Sequence, residues 1–183
     1  MKRIQFAAIA SVSVSLAVFG GVTLAAQDRS TLKVPNGLAF SEFKGYENWP
    51  YVSVSQTETS LKVIAANPVM INAYRQGVPG NHKPFPEGSK IVKIEWLLKK
   101  SADSPYFVNV PDTLKTIAFI EKDSKRFPDT HGWAYAIFLN DPATDMLKPD
   151  DRPPQNGTGA NCGYSCHASV AANDYIFTGY PKR

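Results

Sequence analysis

Six residues near the C-terminus constrain this chain more than any other stretch: Cys162-Gly163-Tyr164-Ser165-Cys166-His167. They hold both cysteines of the sequence, and a histidine follows the second directly. Residues three and four apart on a helical turn share a face, so both thiols and the imidazole can address one object. A covalently attached haem needs that set. Two thiols form thioethers with its vinyl groups, and a histidine ligates the iron. The usual attachment spacing is C-x-x-C-H. Here three residues separate the thiols, and the turn has to absorb the extra one. Two other readings stand beside haem. Paired cysteines in an exported chain form disulfides, and one histidine with two cysteines is also part of a metal-ligand set.

Export is expected from the other end of the chain. Met1 to about Ala26 reads as a secretory signal. Lys2 and Arg3 form a basic start, Phe6 to Leu24 is mostly apolar, and Thr23-Leu24-Ala25-Ala26 offers small residues for cleavage near Ala25 or Ala26. An uncleaved anchor is the alternative, since the apolar run is near the lower limit for a membrane span. The serines and the Gly20-Gly21 pair favour cleavage. Cleavage leaves residues 27–183, about 157 residues and enough for a single domain. Losing Lys2 and Arg3 with no acidic residue takes the formal charge from +4 to about +2. That is too small to argue for nucleic acid or an anionic membrane. The expected location is a bacterial periplasm, where c-type haem is attached.

The rest of the chain reads as β-rich. Tyr51 to Gln56 alternates, Leu61 to Ala65 is compatible with a second strand, and Ser89 to Leu98 is the clearest strand. In it Val92, Ile94 and Trp96 share one face, and Ile91, Lys93, Glu95 and Leu97 the other. Leu114 to Ile120, Trp133 to Leu139 and Tyr175 to Thr178 are further strand candidates. Asn67 to Gly77 has a helix signature: Asn67 as cap, Pro68 in the first turn, Gly77 at the end. Leu38 to Trp49 is compatible with a short helix ending at Gly45. Asn140 to Asn161 reads as a long polar loop, and the cysteine motif as a short helix reaching Ala172. The expected class is α+β: an antiparallel sheet, a few short helices and one covalently attached haem.

Four segments in order resemble the cytochrome P-460 family. They are Glu87 to Lys93, the block Lys122-Asp123-Ser124-Lys125-Arg126-Phe127, the aromatic strand Gly132 to Phe138, and the ending Cys162 to His167 followed by Asp174 to Thr178. The resemblance runs from about Gly45 to Pro181. It implies a periplasmic mono-haem c-type protein on a β-sheet, typically a homodimer, that oxidises hydroxylamine at a five-coordinate haem and passes electrons to a soluble partner. Relatives of the cytochrome c-prime-beta type share the fold but bind nitric oxide and other diatomic gases.

By the same resemblance, Cys162 and Cys166 carry the haem and His167 is the iron ligand. Lys93 matches a lysine that the family joins covalently to the macrocycle. Burial would lower its pKa toward the neutral, nucleophilic amine. Alternation alone places Lys93 toward solvent, opposite the core face, and Lys90 is the alternative candidate. Oxidising relatives carry a carboxylate where this chain has Ala118, and a distal carboxylate would take protons from hydroxylamine. Glu121 belongs to the other face of that strand. Met70, Met146, His82 and His131 are the remaining candidates for a second iron ligand, Met70 reading as core and the others as solvated. Trp133, Tyr135 and Phe138 fit either a haem wall or plain core. Arg126 fits either a haem propionate or a surface ion pair.

Overall fold

The computed structural model describes residues 26–35, 37–150 and 163–182. The signal segment up to Ala25, residues 151–161 of the expected loop, and Cys162 lie outside the described residues. No helix among the described residues is long and apolar enough to cross a membrane.

Six strands pair in chain order in one antiparallel sheet: β1 (Tyr51–Gln56), β2 (Ser60–Ala66), β3 (Lys90–Lys100), β4 (Asn109–Lys122), β5 (Trp133–Asp141) and β6 (Met146–Pro149). Helix α1 (Pro68–Arg75) joins β2 to β3, and α2 (Tyr164–His167) follows the sheet. The fold is thus β-rich α+β, as composition and alternation lead one to expect. Asn67 caps α1 by accepting from the Met70 amide at 3.1 Å. The same oxygen accepts from the Lys90 amide at 3.1 Å and ties the helix to the start of β3.

Both faces of the sheet are covered. One face presents Ala65, Val92, Phe119 and Ala136 as a row across four strands. The N-terminal segment packs on it through Val34, Leu38, Phe40, Phe43 and Tyr46. Phe43 stacks on Phe119 with centroids 4.1 Å apart. The other face carries Ala66, Ile91, Ile120 and Tyr135, then Ile64, Lys93, Ala118 and Ile137 in the next row. Helix α1, Val78, Phe85 and Ile176 cover part of it. Burying apolar surface on two faces yields about 25 cal/mol for each Å², so a sheet of half-apolar strands holds without long helices.

Four local expectations change. Leu38 to Trp49 is two 3-10 turns, Phe40–Phe43 and Tyr46–Asn48, because Gly45 between them has φ +83°. The expected loop after Asn140 first forms β6. Its four residues are too few to show alternation, and the strand is held at its outer side by Gln27. That side chain donates to the Leu147 carbonyl and accepts from the Leu147 amide at 2.7 and 2.8 Å. Tyr175 to Thr178 is not a strand. Asp174 and Tyr175 have φ +50° and +65°, which breaks the extended path. Finally, the face bearing Lys93 does not look into solvent. Lys93 is half-buried and Glu95 is buried.

Candidate functional site

The uncovered part of that second face is a cavity. A partly open pocket of about 260 Å³ lies between β1–β5 and the chain from Gly163 to Thr178. Ile64, Ile91, Ile137, Ile176 and Phe177 give its wall an apolar part, and Lys62, Lys93, Ala118, Tyr135 and His167 also line it. A wider hollow of about 670 Å³ adjoins it, sharing Lys93, Ala118 and Ile137 and adding Glu95, Lys115, Lys148 and Asp150. The first is apolar and the second is charged with both signs.

His167 ends α2 and faces this space. Its Nδ1 lies 2.5 Å from the Tyr175 carbonyl oxygen. A carbonyl only accepts, so Nδ1 carries the proton and Nε2 is left with its lone pair. The Tyr135 ring lies 4.7 Å from the imidazole and Phe177 meets it edge-on at 4.8 Å, centroid to centroid. Burial holds the imidazole below its ordinary pKa, opposed by the hydrogen bond to the Tyr175 carbonyl and helped by the Lys93 charge. The net direction favours the neutral form, which binds a metal.

Lys93 stands on β3 directly opposite Ala118 on β4 and Ile64 on β2. Its amine is pulled below the ordinary lysine value, chiefly by burial; the nearby Glu95 acts the other way. Lys90 is elsewhere. On the opposite face it donates to the Glu42 carbonyl at 2.9 Å, pairs with Glu121 at 3.1 Å and lies over the Phe43 ring. Glu121 is on that face too, as strand alternation requires, and burial raises its pKa above the ordinary carboxylate value.

The other residues sort plainly. Cys166 is exposed and its thiol is free; Cys162 lies outside the described residues. Met70 is fully buried in the core with α1. His82, His131 and Met146 are exposed, and none of the three lines the cavity. His131 stacks on Tyr175 instead. Tyr135 lines the cavity, while Trp133 packs against Phe85 and Phe138 belongs to the opposite core. Arg126 pairs with Glu42 at 2.6 Å and with Glu121 at 3.8 Å, on the face away from the cavity.

Two contributors carried no sequence signal that alternation or motif spacing detects. One is the Tyr175 carbonyl, a backbone group. The other is Asp174, whose carboxylate accepts from the Phe85 amide at 2.7 Å and the Trp133 indole at 3.3 Å, and pairs with Lys122 at 2.6 Å. That network holds the residue next to Tyr175 and so holds the acceptor for His167.

These residues fit a haem. The neutral imidazole is oriented by its second nitrogen, a thiol sits one residue before it, and the wall is apolar. The Tyr135 hydroxyl is buried without a hydrogen-bond partner among the described residues. No group of three or more metal-ligating side chains is present among the described residues. A comparison with curated proteins finds no match. The family model for cytochrome P460 matches residues 43–178.

Proposed function

From the premise that this chain belongs to the cytochrome P460 family, whose members hold haem, we propose that it is an exported mono-haem c-type protein that oxidises hydroxylamine. The observation that carries the reading is the meeting of His167 and Lys93 on one apolar cavity, although 74 positions separate them in sequence. In this reading Cys162 and Cys166 hold the haem through thioethers and His167 ligates the iron through Nε2. Haem supplies one-electron redox chemistry and an open coordination position.

The chain's own residues do the rest. The Tyr175 carbonyl keeps the Nδ1 proton in place and fixes the imidazole tautomer. Met70 is buried in the core and His82, His131 and Met146 lie outside the cavity, so among these four none would compete to ligate the iron. Ile64, Ile137 and Ile176 would give the haem an apolar wall. Lys93 would be the residue bonded to the macrocycle, and its burial favours the uncharged amine that such a bond requires. In the adjoining hollow Glu95 is ionised; its hydrogen bond from Ser60 and the Lys115 and Lys62 charges outweigh burial and hold its pKa down. It is a carboxylate on the Lys93 face that would accept protons, in the absence of one at 118. The working form is a periplasmic homodimer that hands electrons to a soluble acceptor.

Ala118 favours a second reading. A small apolar side chain opposite Lys93 suits a pocket that binds nitric oxide or another diatomic gas without turnover, as in the cytochrome c-prime-beta type.

The test is an optical spectrum of the exported, matured chain, oxidised and reduced, with intact mass and hydroxylamine turnover on the same sample. One covalent haem, a far red-shifted reduced Soret band and turnover support the first reading. One haem with an ordinary c-type spectrum, tight nitric oxide binding and no turnover supports the second. A colourless chain with a Cys162–Cys166 disulfide removes both.

A further inference from the structure

The contact between Gly163 and Tyr135 carries an inference that rests on the haem reading but goes past it. Gly163 precedes α2 with φ −97° and ψ −18°, a backbone conformation open to residues with side chains. Conformational freedom therefore does not explain the glycine, but space does. A Cβ there would lie 2.6 Å from Cδ1 of Tyr135, 2.7 Å from Cγ and 3.0 Å from Cβ. Cβ keeps its place in every rotamer of this side chain, which is only 3% exposed, so swinging the ring does not by itself clear the space.

The same ring touches the other end of the turn, lying 4.7 Å from the His167 imidazole at an interplanar angle of 45°. One side chain on β5 thus meets both the residue that opens the Gly163–His167 turn and the imidazole that closes it. Strands are the rigid part of this fold; the turn is a single helical turn with no side-chain cap.

We infer that Tyr135 is a positioning residue for the haem ligand. It seats the attachment turn by admitting only glycine at 163, and it sets the plane in which His167 presents Nε2.

The experiment matures the full chain in a host that attaches c-type haem. Wild type is compared with Tyr135→Phe, Tyr135→Leu, Gly163→Ala and the double variant Gly163→Ala/Tyr135→Ala, the last against Tyr135→Ala alone. Intact mass reads covalent haem per chain, and resonance Raman reads the iron–imidazole stretching band. Tyr135→Phe keeps the ring and so retains covalent haem, with a smaller band shift than Tyr135→Leu. Gly163→Ala loses covalent haem several-fold, and the same change in the Tyr135→Ala background adds no further loss. Tyr135→Leu shifts the iron–imidazole band, which a merely structural residue would leave in place. An unmoved band in Tyr135→Leu, or full haem content in Gly163→Ala, overturns the inference. If Gly163→Ala yields no protein, the Tyr135→Leu band decides. Wild-type chain without haem overturns the haem reading instead, so the two failures are distinct.

Discussion

Lys122 and Asp174 form a buried ion pair, Nζ to Oδ2 at 2.6 Å, with side chains 7% and 13% exposed. Lys122 also lies over the Trp133 ring. The pair ties the end of β4 to the residue before Tyr175, whose carbonyl orients His167. Removing one partner leaves a desolvated charge alone, which costs about 3–5 kcal/mol. Asp174→Ala is therefore expected to lower the unfolding free energy read from a urea titration by that amount. It should also weaken haem retention on mild acid treatment. A loss under about 1 kcal/mol would mean the pair is solvated.

The placement of Lys93 and Lys90 on opposite faces gives a direct contrast. Lys93→Ala in the matured protein should move the reduced Soret band back to an ordinary c-type position with one haem still attached. Lys90→Ala should leave the band where it is and lower stability instead, since it strips Glu121 of its partner at 3.1 Å. Spectra of the two variants settle it, and a shift in Lys90→Ala would refute the assignment.

Ala118 pairs with Lys93 across the strands and faces the same cavity. Ala118→Glu puts a proton acceptor there, and general base assistance is worth on the order of 10²-fold or more when well placed. Hydroxylamine turnover with an artificial electron acceptor should rise at least about tenfold, a conservative share of that range. Unchanged turnover would separate position 118 from the reacting atoms.

Glu121 supplies a pH test away from the cavity. Burial raises its folded pKa above the unfolded value, against the pull of Lys90 and Arg126 and with a small push from Glu42. In the window between the two values the folded state binds more protons, so stability falls as pH rises through it. Below the unfolded value both states are protonated and the penalty is absent. The Glu121→Gln variant lacks this slope. Chemical denaturation of both proteins from mildly acidic to neutral pH should give a wild-type-minus-variant difference that declines with rising pH. A flat or rising difference would contradict it.

Much of this fold can be read from residue order. Strand alternation locates β1 to β5, and Asn67-Pro68 with Gly77 brackets α1. The motif Cys162 to His167 points to the histidine that the structure places at the cavity. What alternation misreads is the side of the sheet that matters. Val92 and Ile94 look like the core face because their neighbours are Lys93 and Glu95. Yet the polar residues also face inward, toward a space that a bound group rather than a side chain would fill. Periodicity detects burial against protein and has no term for burial against a prosthetic group. The block Lys122 to Phe127 is a second case. It looks like a functional motif, and its work is support: Lys122 holds Asp174, Asp123 accepts from the Lys125 and Arg126 amides, and Ser124 binds Glu87. β6 and the irregular path after Asp174 were hidden for another reason. β6 is short and, besides its ladder to β5, bonds to Gln27, while the path after Asp174 bonds to Tyr74 and His167, partners far away in sequence or in an unusual role.

The strands pair strictly in chain order, and that has a consequence for how the protein is made. Each hairpin closes on its immediate predecessor, so the sheet needs few distant encounters to form. All of its strands are complete by residue 149, whereas the histidine arrives at 167. As the chain emerges from its N-terminal end, the wall of the cavity can assemble first, with the Tyr135 ring already standing in it. The turn that carries His167 then docks onto a finished surface, so chain order sets the two halves of the pocket in sequence: the sheet wall precedes the segment that closes it.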